Sequence, residues 1–139
     1  MKALSCKSVL LTISLFIGIV FAKAQSDDRY IYDIKYSNEK MCSKTIFTRD
    51  ESSSTLRAVS RYEFKYDNRG RLIEKIAYHM NSNSTEWEKH SRMEFTYQDG
   101  EETVTVNLAL WDPQRKCFSV NQKQQILPLS HVTEHIAES

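Results

Sequence analysis

Tyr62-Glu63-Phe64-Lys65-Tyr66-Asp67-Asn68-Arg69-Gly70-Arg71-Leu72-Ile73-Glu74-Lys75-Ile76-Ala77-Tyr78 reads as two β-strands around a tight turn. Asp67 can hydrogen-bond to the backbone ahead of it, and Gly70 can take the left-handed conformation that closes a type I turn with a glycine bulge. A loop of Asn68, Arg69 and Gly70 pairs Tyr66 with Leu72, Phe64 with Glu74 and Tyr62 with Ile76. Tyr62, Phe64, Tyr66, Leu72, Ile76 and Tyr78 then share one face, leaving Arg61, Glu63, Lys65, Arg71 and Lys75 on the other. A loop one residue longer would pair Tyr62 with Lys75, and such a slip turns a strand's apolar set toward water.

The same pattern recurs on both sides. Upstream, Tyr32, Ile34 and Tyr36 stand for Tyr62, Phe64 and Tyr66, while Cys42 and Ile46 stand for Leu72 and Ile76. The turn there carries Lys40 in place of Gly70, where a positive φ would cost energy that glycine avoids. Downstream, Met93, Phe95 and Tyr97 lead into Asp99-Gly100; read as a two-residue turn, this pairs Phe95 with Val104 and Met93 with Val106. Polar links, Asp50 to Ser54 and Asn81 to Glu86, separate the units. Asp112-Pro113-Gln114-Arg115-Lys116 is a further turn, and residues 117–127 read as a last, edge strand. Three units of about thirty residues (about 30–60, 61–91 and 92–123) therefore predict an all-β fold. It is an antiparallel meander of about seven strands, curled or sandwiched, with a tail over 128–139 that forms a short helix through Val132 and Ile136 or frays.

The first 24 residues read as a signal peptide rather than as part of that domain. Lys2 and Lys7 precede an apolar run from Val9 to Phe21, too short to span a bilayer, and Ala22-Lys23-Ala24 has the small-x-small pattern of a cleavage site. A single domain would then occupy 25–139, exported to periplasm, cell surface or medium. Lys2, Lys7 and Lys23 leave with the leader, so 19 basic residues become 16 against 18 acidic ones, a net charge of −2. No basic field remains to attract nucleic acid. Cys42 and Cys117 survive processing into a compartment that permits a disulfide. In a flat meander they stand about five strands, roughly 24 Å, apart, so a bridge requires the sheet to curl or fold over.

Phe64-x-Tyr66-Asp67-x-x-Gly70-Arg71-Leu72 resembles the tyrosine-aspartate repeat of Rhs-type shells, though only one of the three units keeps it. Over nearly the whole chain the sequence is similar to the domain-of-unknown-function 3836 family of small exported proteins from Gram-negative gut anaerobes. The likeness lies in the leader ending Ala24-Gln25, in Asp28-Arg29-Tyr30-Ile31-Tyr32-Asp33-Ile34-Lys35-Tyr36, and in Tyr97-Gln98-Asp99-Gly100-Glu101-Glu102. It implies an envelope or secreted setting and assigns no activity.

Motifs for chemistry are weak. His131-Val132-Thr133-Glu134-His135 fits the pattern of inverted zinc peptidases, but follows a proline at the end of a small β domain and reads as a solvated tail. Serines cluster in the polar links without a nucleophile elbow. Arg61, His79, Glu88, His90 and Trp111 fall on the face away from the apolar set, where an indole among polar groups suits a sugar or a peptide, while Trp87 has core-facing parity. No metal or cofactor is expected. The chain is read as a non-enzymatic interaction or scaffold module of the bacterial envelope whose partner is a protein or, alternatively, a glycan or peptidoglycan.

Overall fold

The computed structural model describes residues 29–83, 85–120 and 123–137. The expected leader over 1–24 and the lead-in that follows it lie outside the described residues. Along the chain come β1 (Tyr30–Ser37), β2 (Lys40–Arg49), β3 (Leu56–Tyr66), β4 (Leu72–Met80), β5 (Trp87–Tyr97) and β6 (Thr103–Asp112). Then follow β7 (Cys117–Phe118), β8 (Lys123–Pro128) and α1 (Leu129–Ala137). The strands β1 to β6 lie side by side in chain order, each antiparallel to the next. The far side of β6 is shared by β8 along Thr103–Leu108 and by β7 at Trp111 and Asp112. The expected meander is therefore the fold, as one open sheet; it neither curls nor folds into a sandwich. The last strand expected over 117–127 is broken into β7 and β8.

The central hairpin starts as its turn dictates and then departs. Tyr66 pairs with Leu72 and Gly70 has φ +75°. Ile73 then bulges, so Lys65 pairs with Glu74, Phe64 with Lys75 and Glu63 with Ile76. One extra residue reverses the parity of the rest of β4. Ile76 and Tyr78 consequently lie on the side of Arg61 and Glu63, and Lys75 moves to the side of Tyr62 and Phe64, correcting the faces expected for all three. The first hairpin closes through Asn38 and Glu39, both with positive φ (49° and 63°), which leaves Lys40 paired with Ser37 rather than strained. Its bulge falls at Cys42, so Met41, not Cys42, is the counterpart of Leu72. In the third hairpin Glu101 N donates to Gln98 O (3.2 Å) and Phe95 pairs with Val106, Met93 with Leu108. That is two residues from the expected register, so the same side chains keep the same face.

The repeat is legible in geometry as a spacing of 31 residues. The Oδ1 atoms of Asp50, Asn81 and Asp112 each accept from the amide two residues ahead, at 2.9 Å. Tyr66 donates its hydroxyl to Met41 O (2.8 Å) and Tyr97 to Leu72 O (2.7 Å), each tying one unit to the strand before it. Val59 and His90 are equivalent bulges between units.

The core gathers on one face: Phe64, Tyr66, Leu72, Phe95, Val104 and Val106, closed by Val132 of α1. The tail is thus a docked helix rather than a solvated or frayed end. Its last turn has carbonyls with no intrahelical donor, at the negative end of the helix dipole. Lys75 Nζ donates to His135 O (2.8 Å) and Lys44 Nζ to Ala137 O (3.4 Å), while Leu129 N donates to Glu102 O (2.9 Å) at the other end. The helix therefore crosses the sheet from the β5–β6 loop to β2. Burial lowers the pKa of Lys44, which also sits 4.8 Å from the Tyr32 ring. Cys42 is buried and Cys117 exposed, both free. With β3, β4, β5 and β6 between their strands, the open sheet holds them beyond bonding reach, so the disulfide is not made.

Candidate functional site: the open face of the sheet

The sheet face turned away from α1 bears Arg61, Glu63, Ile76, Tyr78, Trp87, Lys89, Arg92, Glu94 and Trp111 by ladder parity. Its organising feature is a clamp built twice. Arg61 pairs with Glu63 at 3.0 Å and sits 5.1 Å from the Trp87 ring; 31 residues on, Arg92 pairs with Glu94 at 3.4 Å and sits 4.6 Å from the Phe118 ring. Arg–x–Glu places both charges on one side of a strand, and the aromatic residue arrives from further along the chain. Both guanidinium groups bury an Nε that has no hydrogen-bond partner. Such groups are held by ring contact and ion pairing.

Between the clamps runs a row of alternating cations and rings. Arg61 lies 4.6 Å from the Tyr78 ring, Lys89 lies 4.8 Å from Trp111, and Trp111 meets Phe118 edge-on at 5.0 Å. Burial, then the hydrogen bond to Glu63 Oε2 (2.8 Å), pushes the Tyr78 phenol up to about 12, so it stays a neutral donor. Beside this row, a shallow depression opens among Lys65, Glu74, Glu94, Thr96 and Asn107.

The five residues expected to form one patch are divided between the two faces. Arg61 and Trp111 are on the open face. His79 pairs with Glu88 on the helix side, because the bulge at Ile73 inverts the rest of β4 and the bulge at His90 inverts the start of β5. His90, itself the extra residue of the next bulge, lies against His79 with the rings tilted by 52° and their centroids 4.2 Å apart. Burial and the neighbouring His79 lower the pKa of His90. Glu88 accepts from Asn81 Nδ2 at 2.8 Å. Trp87, expected in the core, is instead the ring under Arg61. Tyr78, Lys89, Arg92 and Phe118 were missed; the signal was Arg61-x-Glu63 recurring as Arg92-x-Glu94. The zinc-peptidase pattern dissolves, since His135 packs edge-on to Phe95 at 6.2 Å and its carbonyl receives Lys75. Among the described residues no group of three or more His, Cys, Asp and Glu could hold a metal ion.

The family model described as "Family of unknown function (DUF3836)" matches residues 1–129. A crystal structure of a DUF3836 family protein from Parabacteroides distasonis is 31% identical, with a TM-score of 0.68 over 76% of this chain and 95% of that one. One from Bacteroides vulgatus is 23% identical (TM-score 0.63, 72% of this chain, 99% of that one). A protein of unknown function from Bacteroides fragilis is 22% identical (TM-score 0.62, 71% and 70%). No curated protein matches the chain.

Proposed function

We propose, for a chain that belongs to the DUF3836 family of unknown function, an exported interaction module of the bacterial envelope that engages a protein partner on its open face and carries out no chemistry. The observation that carries this reading is the twice-built clamp of arginine, glutamate and aromatic ring. Arginine, tryptophan and tyrosine are the residues that concentrate binding energy at protein interfaces, and here they stand preordered on a rigid sheet. Export is supported by the leader-like residues 1–24. The relatives from Bacteroides and Parabacteroides are consistent with a bacterial source.

The test is chemical crosslinking in envelope preparations of a Bacteroides host, comparing wild type with Arg61→Glu, Arg92→Glu and, as an off-face control, Glu134→Lys on the exposed side of α1. A specific protein adduct lost with both arginine changes and kept with the control supports the reading; an adduct indifferent to them overturns it. A glycan or peptidoglycan partner is the second reading, favoured by two indoles, Trp87 and Trp111, on that face. Lys89 over Trp111 occupies the ring surface on which a sugar would stack. Glycan-array binding that disappears with Trp111→Ala would favour this alternative over a protein partner.

A further inference from the structure

The first strand is an anomaly among the strands of this sheet. All eight residues of β1 are exposed, and among the described residues no strand pairs with its outer edge. On its helix-side face Tyr30, Tyr32, Ile34 and Tyr36 are 46%, 53%, 38% and 64% exposed. An edge this long and apolar invites pairing unless charges guard it.

The two charges it carries, Asp33 and Lys35, are of opposite sign and two residues apart on the other face. Across the ladder they face neutral Thr45 and Ser43 of β2, and neither forms an ion pair with a described residue. In an antiparallel strand the backbone groups of alternate residues point to opposite edges. Arg29 O accepts from Arg49 N (3.2 Å), so the odd-numbered residues of β1 bond toward β2. The even-numbered ones, Tyr32, Ile34 and Tyr36 among them, direct N–H and C=O outward.

Pairing β1 with its own copy, antiparallel, about a two-fold axis at Ile34 places Asp33 opposite Lys35 twice. Tyr32 then faces Tyr36 twice, and Ile34 faces its copy. Every one of these three even-numbered residues would be in a hydrogen-bonded pair. Moving the axis to residue 33 sets Asp33 against Asp33, and moving it to 35 sets Lys35 against Lys35. Only the central register matches charge, apolar surface and backbone direction together. The geometry points to a second copy of this chain as the partner of the β1 edge, in a two-fold dimer whose sheets run on as one.

Tyr36 fits this reading. Its counterparts Tyr66 and Tyr97 anchor their hydroxyls on the preceding unit, and β1 has no preceding unit within the described residues. The closed two-fold contact buries β1 against itself and leaves β8 free, whereas a head-to-tail contact of β1 on β8 would propagate without closing.

The experiment is sedimentation velocity on protein purified from cells expressing the full chain, titrated to about 100 µM because a contact of one strand pair lies at the small end of interfaces. The wild type is expected to form dimers. Asp33→Lys and Lys35→Asp each turn two attractions into two repulsions and weaken the dimer roughly thirtyfold. An equimolar mixture of the two variants recovers the dimer as a heterodimer, because the two lysines on the β1 edge of one variant then face the two aspartates on that of the other. The charge-swapped chain carrying both changes dimerises like wild type, and circular dichroism of each variant reports that the sheet has folded. A wild type that stays monomeric, open-ended oligomers, or a dimer unmoved by the single changes overturns the proposal, as does a mixture that fails to associate.

Discussion

Asp67→Ala tests whether the central turn sets the register of the sheet. Asp67 Oδ1 accepts from the amides of Arg69 and Arg71, both at 2.9 Å, and Oδ2 accepts from Arg71 Nε at 2.8 Å. The two backbone bonds contribute about 0.5–1 kcal/mol each, since the bare amides can find water. The ion pair to Arg71, whose side chain is 36% exposed, adds at most about 0.5 kcal/mol. The expected loss is roughly 2 kcal/mol, which for a domain of this size lowers the thermal midpoint by about 10 °C. Asp67→Asn keeps an Oδ1 acceptor and should lose less than half of that. A pH signature follows. Burial pushes the Asp67 carboxyl up, but the Arg71 amide and guanidinium and the Arg69 amide pull it down further, leaving it below the usual carboxylate range. A carboxyl depressed in the folded state stabilises fully above its unfolded pKa, about 4, and loses that contribution as pH falls through the lower folded value. The gap between wild type and Asp67→Ala in thermal unfolding should therefore be full at neutral pH and close in acid. A gap that persists unchanged into strong acid, or an asparagine variant as weak as the alanine one, would refute this account.

Tyr66→Phe and Tyr97→Phe each remove one inter-unit hydrogen bond and should cost about 1 kcal/mol in denaturant unfolding; the double variant should depart from the sum, because the two sites meet at Leu72, the strand partner of Tyr66 and the acceptor for Tyr97. In the native protein a thiol reagent should modify exposed Cys117 quickly and buried Cys42 only on unfolding, and blocking of both thiols by a disulfide would contradict the open sheet. Glu63→Gln should bring the Tyr78 phenol down from about 12 toward the ordinary tyrosine value, read as phenolate absorbance against pH, with burial keeping part of the shift.

The fold was legible because its two signals are local. Gly70 and Gly100 mark turns, and Tyr62-x-Phe64-x-Tyr66 alternates with the period of a strand. The site was only half legible, for a reason that sits at one residue. A bulge changes which face a side chain occupies without changing the sequence pattern around it, so Ile73 moved Ile76, Tyr78 and His79 to faces that simple alternation denies them. The pattern of β4 held one clue. Lys75 has the parity of the core in the real register, and a lysine there is acceptable only if something awaits its ammonium group, which the last turn of α1 supplies. A contact sixty residues away in the chain cannot be read from β4 alone. The paired clamps, by contrast, were visible as Arg61-x-Glu63 and Arg92-x-Glu94, once the unit length was taken as 31 rather than about thirty.

The position of α1 carries a consequence for the order in which the protein matures. Ribosomes make β1 through β8 before the nine residues of α1, yet Val132 is the side chain that seals the apolar face of Phe64, Phe95 and Val104. A chain whose ladders had formed before α1 docked would carry a wet, sticky flank, a natural client for a holding chaperone.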